Sequence, residues 1–294
     1  RHMKTLKYIM KTSLQKIFNV KFITFCIAFL ILSWTYDQPY LNFVQEKGYP
    51  ISWCIFPFYM SSWGILSIFY FGIIYVNSDV PFMQNVNMYQ IIRAGRGQWV
   101  IGQMGSILVR AFFVVLISAI AAVLPFAGNI EFSFEWGKVV RTLASQRGSE
   151  GFGFEMGQTL DFRFFYEILN EYTPVQLMVI TVLICTLICT FLGILMFLLS
   201  LFAGKLVAVT GALLFVAALF LVENIYGEGK RIAAHFIPTY WAEVALSATP
   251  VSGRYRLPSL TYMFTFLLVI ILVMSVIIYW KVKYVEFNWE NEDA

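Results

Sequence analysis

The chain has 294 residues, 59% of them hydrophobic and 13% charged, with a formal net charge of +4. Soluble domains carry about 45–50% apolar and about 25% charged residues, so composition argues against a water-soluble fold. No run of Lys and Arg alternates with aromatics in the way a nucleic-acid surface requires, so nucleic acid is not an expected partner.

Arg1 and His2 read as a cloning remnant in front of an initiator Met3, which leaves His235 as the one native histidine. Over residues 4–18, Leu6, Ile9, Met10, Leu14, Ile17 and Phe18 recur at helical spacing while Lys4, Lys7 and Lys11 take another face. This pattern predicts an amphipathic helix lying on the membrane surface. A signal peptide fits less well, because no small-residue cleavage site follows the apolar run.

A membrane-spanning helix needs about 20 mainly apolar residues. Six stretches are expected to cross: Val20 to Tyr36, Ile55 to Val76, Trp99 to Phe126, Val175 to Ala203, Leu206 to Val222 and Leu260 to Trp280. The fourth and fifth are separated only by Gly204 and Lys205, where a tight turn is expected. Lys and Arg beside spans favour the cytoplasm. Lys4, Lys7, Lys11, Lys16, Lys21, Arg93, Arg96, Lys205, Lys281 and Lys283 then lie inside, as do both termini. Asp37 and Glu46, an acidic loop over 127–174 and a re-entrant region over 223–259 fall outside.

Between the second and third spans, Asp79 can cap a helix whose first turn tolerates Pro81, and Gly95 can end it in the left-handed conformation. The segment reads as a short cytoplasmic helix or as an ordinary connecting loop. In the third span, Arg110 reads as a buried partner of backbone carbonyls, as a polar contact at a subunit interface, or as a pathway group. We expect it to face the interior of a homodimer.

The outer loop carries Glu131, Glu135, Glu150, Glu155, Asp161, Glu167 and Glu171 scattered among aromatics, which suits a folded cap better than paired catalytic carboxylates. Cys26, Cys54, Cys185 and Cys189 lie mostly in apolar runs and read as packing residues. Trp34, Tyr36, Trp53, Trp99, Trp241 and Trp280 near span ends suggest an interfacial aromatic belt. The chain has no G-x-x-x-x-G-K-[ST] run, no H-E-x-x-H helix and no G-x-S-x-G elbow, and a lone His235 is a poor base for a triad. No enzyme chemistry is expected of it.

Over nearly its whole length the chain resembles the permease subunits of ABC-2-type transporters. The features that carry the resemblance are the amphipathic N-terminal helix, six spans, a cytoplasmic coupling helix and a structured outer region before the last span. The most specific stretch is Asp79 to Trp99, in which Asp79, Pro81, Phe82, Tyr89, Arg93, Gly95, Arg96 and Trp99 look like the family's coupling helix and the start of span three.

The resemblance implies an all-α membrane domain over 1–294 whose 79–96 segment docks on a separate ATP-binding subunit, present in two copies. It implies a second copy of this permease, or a close paralogue, to complete the pathway. ATP and Mg would sit on the partner subunit, with no cofactor or metal bound by this chain. The long 127–174 loop looks more like Gram-positive exporters of peptides, bacteriocins and drugs, including those of the phenol-soluble-modulin type. Export of an amphipathic or hydrophobic substrate, a peptide foremost, across the plasma membrane is the expected function. The alternatives are export of a drug, lipid or polysaccharide, and a non-transporting scaffold or immunity protein.

Overall fold

The computed structural model describes residues 19–79, 91–92, 95–154, 160–247, 250–251, 254–255 and 258–284. The helix expected over 4–18 lies outside them, as do Pro81, Phe82, Tyr89 and Arg93. Among the described residues, four helices are long and apolar enough to cross a membrane. The chain is a helical membrane protein.

Helix α1 (Val20–Lys47) runs well past the expected end at Tyr36 and stops at Gly48. Its inner half divides by helical spacing. Ile23, Ile27, Ile31 and Trp34 are exposed, whereas Phe22, Phe25, Phe29, Ser33 and Asp37 are buried. The helix continues because its outer half has something to pack against: Tyr40, Leu41, Phe43 and Val44 are buried there.

The second expected span, Ile55 to Val76, is not one helix. A short α2 (Phe56–Tyr59) is followed by α3 (Trp63–Asn77), with Ser62 extended between them at ψ 118°. Serine hydroxyls compete for backbone groups here, as Ser61 Oγ donates to Pro57 O at 3.0 Å. Helix α3 has 15 residues, about 22 Å, which is short for a crossing on its own.

Helix α4 (Arg96–Val123) continues into a 3-10 turn at Leu124–Phe126. The outer loop is a folded cap. Strand β1 (Ile51–Ser52) pairs in parallel with β2 (Ile130–Glu131), and α5 (Gly137–Ala144), α6 (Gln146–Gly151) and α7 (Tyr166–Glu171) follow. Aromatic rings bind the cap to the helices below. Phe164 meets Phe58 at 4.9 Å between centroids, and Phe162 meets Tyr40 at 4.7 Å and Tyr59 at 5.1 Å. Such pairs contribute about 0.5–1.5 kcal/mol each beyond the area they bury.

Helix α8 (Pro174–Asn224) starts on a capping box of Thr173 and Gln176 and is 51 residues long, with Gly204 non-helical at φ 83° and ψ −178°. It is a hairpin. Phe191 and Phe215 stack edge to face at 5.2 Å, whereas 24 residues of straight helix would separate them by about 36 Å. A Cβ on Gly211 would fall 2.4 Å from Leu199 Cδ1, although twelve helical residues cover about 18 Å. The chain thus reverses at Gly204, where the sequence predicts a turn.

Helix α9 (Glu228–Phe236), a 3-10 turn at Pro238–Ala242, α10 (Val244–Ser247) and the antiparallel pair β3 (Pro250–Val251) and β4 (Arg254–Tyr255) lead to α11 (Leu260–Tyr284). The α8 hairpin is the centre of the fold, packed against α11, α4 and α3. The aromatic belt is only partly interfacial. Trp34 and Trp280 are exposed, but Trp99 and Trp241 are core residues. Trp241 Nε1 donates to Ala234 O at 2.6 Å, so its polar atom is satisfied within the chain and needs no headgroup.

Gly204 sits in a backbone region open essentially to glycine alone. Gly204→Val is expected to destabilise the purified protein by about 1–3 kcal/mol in thermal unfolding. An unchanged transition would mean that the turn forms without this conformation.

Candidate functional site

The start of α1 and the end of α3 meet around Asp79. Lys21 Nζ donates to Asp79 Oδ1 at 2.6 Å and to Ser78 Oγ at 2.6 Å, and Asn19 Nδ2 donates to Asp79 Oδ2 at 3.2 Å. The sequence reading assigned Asp79 to capping the next helix. Both of its carboxylate oxygens accept from the start of α1. The helix it was expected to cap lies outside the described residues.

At the other end of the same connection, Arg96 opens α4. Its Nη1 donates to Lys283 O at 3.0 Å and to Val282 O at 3.4 Å. These are the last carbonyls of α11, which have no intrahelical donor and carry the negative end of the helix dipole. Gly95, expected to end a helix in the left-handed conformation, has φ 82° but ψ 150° and is the N-cap of α4. Its N–H does donate to Ile91 O at 2.8 Å. Segment 80–95 is therefore tied by its two flanks to α1 and to α11, the helices furthest apart in sequence.

Arg110 lies about 21 Å along α4 from Arg96. It is 4% exposed within one chain, and Nη1 donates to Val76 O at 3.3 Å. The carbonyl belongs to the last turn of α3, where a cation also meets the negative end of the helix dipole. Trp99, Gln103, Ser106 and Arg110 follow one another at helical spacing and are all buried. Close approach of α8 completes the enclosure: a Cβ on Gly193 would lie 2.5 Å from Ile107 Cγ2 and 3.4 Å from Asn77 Nδ2. Arg110 Nε and Nη2, Ser106 Oγ and Asn77 Oδ1 are buried without hydrogen-bond partners. Burial of Arg110 thus needs no second copy of the chain.

His235 Nδ1 lies 2.7 Å from Arg231 O and its ring meets Tyr262 edge to face, with no nucleophile in that contact. Among the described residues, no three His, Cys, Asp or Glu side chains are grouped to hold a metal ion. The outer cap holds a cleft of about 930 Å³ whose lining includes Arg147, Glu150, Arg163 and Glu167 beside Leu143 and Phe164. It offers charges of both signs over an apolar floor.

Two buried acids escaped the sequence reading. Asp37 was placed in outer solvent, yet it is 0% exposed and neither carboxylate oxygen has a hydrogen-bond partner. The signal was present: Phe22, Phe25, Phe29, Ser33, Asp37, Tyr40 and Val44 mark one helical face. Glu243 was passed over as part of a loop and is also buried and unpartnered.

Removing the guanidinium while keeping an apolar stem separates these contributions. Arg110→Met leaves the Val76 carbonyl without its donor and is expected to cost about 1–3 kcal/mol in thermal unfolding. Lys21→Met should cost less than about 1 kcal/mol, since its pair with Asp79 is about one-third exposed. A more stable Arg110→Met protein would remove the structural role of that contact.

Comparison of the chain with protein-family models, curated proteins and solved structures finds no significant match.

Proposed function

We propose that the chain is the membrane-spanning permease subunit of an ATP-driven exporter of the ABC-2 type, with six crossings and both termini in the cytoplasm. The observation that carries this reading is the anchoring of the 80–95 segment at both flanks. Asp79 is held by Lys21 of α1, and Arg96 holds the end of α11. The segment also joins α3 to α4 directly. A displacement delivered between these flanks would be passed to α1, α3, α4 and α11 through the ties at Asp79 and Arg96, which is what coupling to an external motor requires.

Charge placement supports the orientation. Lys281 Nζ lies 4.7 Å from the Phe202 ring centroid, beside the Gly204 turn, and Arg96 reaches the carbonyl of Lys283. Arg96, Lys205, Lys281 and Lys283 thereby gather at one end of the bundle, as the positive-inside rule expects of a cytoplasmic face. The six crossings are α1, the α2–α3 pair, α4, the two arms of α8, and α11.

In this reading the chain has no nucleotide site and takes its work from a separate ATP-binding subunit, with ATP and Mg bound there. Two such subunits serve two permease copies. Phe82 and Tyr89 supply aromatic anchors for the docking contact, and Arg93 supplies charge. The amphipathic lining of the outer cleft and the scarcity of charge in the helices favour an amphipathic or hydrophobic substrate, a peptide foremost, over a highly charged solute.

The test is isolation of the tagged chain from its own membrane. An ATP-binding subunit should copurify. Phe82→Ala should weaken its retention by about 2 kcal/mol, roughly thirtyfold. Asp79→Ala and Arg96→Ala should keep the subunit bound but lose substrate-stimulated ATP hydrolysis. Preparations free of any ATP-binding subunit, with the chain intact, would favour a scaffold or immunity protein, and full coupling in both anchor variants would reject the transmission role.

A further inference from the structure

Two acids lie about Lys230 at the end of α8, where Lys230 Nζ stands 3.5 Å from Glu223 Oε2 and 5.6 Å from the ring of Tyr240, three residues before Glu243. Glu223 is in the last turn of α8, and Glu243 follows the 3-10 turn Pro238–Ala242, outside the spanning helices. Glu243 is 1% exposed and neither carboxylate oxygen has a donor. Glu223 Oε1 is likewise buried without one, while Lys230 Nζ sits 3.5 Å from Glu223 Oε2. Three buried acceptor oxygens on two neighbouring acids therefore lack a hydrogen.

Among the described residues, the side-chain donors of Tyr70, Lys230, Tyr262 and Arg231 on the surrounding elements are committed elsewhere. From α3, the Tyr70 hydroxyl is committed to Thr239 O at 2.8 Å. From α9, Lys230 faces Glu223 and lies 5.6 Å from the Tyr240 ring centroid of the 3-10 turn. From α11, the Tyr262 hydroxyl donates to His235 O at 3.2 Å. Arg231 and Glu228 pair with each other on the exposed face of α9 at 2.8 Å. Two ionised carboxylates are both acceptors and cannot bond to each other, whereas one proton turns either of them into a donor. A metal cation fits less well, because the Lys230 ammonium already stands at Glu223 Oε2.

We propose that Glu223 and Glu243 bind one proton between them, resident on Glu243, and that this proton latches the 228–247 segment onto the outer end of α8. The protonated Glu243 donates to Glu223 Oε1, and Lys230 neutralises the remaining charge. Burial pushes the Glu243 carboxyl well above the usual carboxylate range, and the Glu223 charge and hydrogen bond add to this while Lys230 opposes it. When the proton leaves to solvent, two negative charges face each other in a site closed to water. The segment also carries the ties that fix it inward, Thr239 Oγ1 to Phe215 O at 2.7 Å and Trp241 to Ala234, so loosening it exposes the outer end of the hairpin. The latch does not depend on how the chain is energised.

The sign follows from linkage. Above the ordinary carboxyl range the folded chain holds a proton that the unfolded chain has released, so the site's contribution to stability falls as pH rises. The purified full chain is the sample. Glu243→Gln places a permanent amide donor opposite Glu223. Its Tm relative to wild type should rise by about 3 °C or more between about pH 5 and pH 9. In infrared difference spectra of the wild type, a carboxylic-acid C=O band should bleach as pH rises, and Glu243→Gln should lack it. Lys230→Gln should move the bleach to higher pH, because it removes the charge that favours ionisation; this holds even if Glu243→Gln fails to fold. A constant Tm difference across pH, no carboxylic-acid band in wild type, or a bleach that stays put or moves down in Lys230→Gln would each overturn the proposal.

Discussion

In an apolar medium, any backbone that leaves its helix must find partners for the N–H and C=O groups it frees, and α8 leaves its helix at a single residue. Gly204 permits a reversal that costs almost no irregular backbone. Both arms can then lie side by side, with small residues setting the distance: Gly211 receives Leu199, and Gly193 lets the first arm approach α4 and the end of α3. Helices α3, α4 and α11 pack on this hairpin, so their relative positions follow from where it turns.

The polar groups are arranged against that frame in two ways. At the inner end they join elements: Lys21 to Asp79, Arg110 to the last turn of α3, and Arg96 to the last turn of α11. Two of these three ties place a guanidinium on the carbonyls that end a helix, where a cation gains both a hydrogen bond and the dipole field. At the outer end the acids are enclosed. Asp37 lies among the aromatic rings of α1 and α2, and Glu243 lies beneath α9. Burial of a carboxylate without a donor is costly, and a protein that retains it does so for a use that apolar packing cannot serve.

A division of labour follows along the membrane normal. The end that carries Asp79 and Arg96 is tied across elements by side-chain hydrogen bonds. The outer end is capped by aromatic contacts and by a segment whose attachment includes an acid pair.

Much of this was legible in the sequence. Composition and the length of the apolar runs established a helical membrane protein, because lipid leaves the backbone few alternatives to helix. The turn at Gly204 was legible too, since one crossing cannot use a mainly apolar stretch of 51 residues. Arg110 and Asp79 stood out as charges at informative positions, but what they touch was not readable: Lys21 is 58 residues from Asp79, and Val76 is 34 from Arg110. The burial of Trp99 and Trp241 and the enclosure of Asp37 and Glu243 were decided by the tertiary structure alone. The physical reason is shared by all four. Local periodicity says which face of a helix is apolar, but whether that face meets lipid, water or another part of the chain depends on contacts between residues far apart in sequence. Rings of the cap cover the face of α1 that carries Tyr40, whereas Trp99 is enclosed against Phe197 of α8 and Trp241 against Tyr262 and Phe266 of α11.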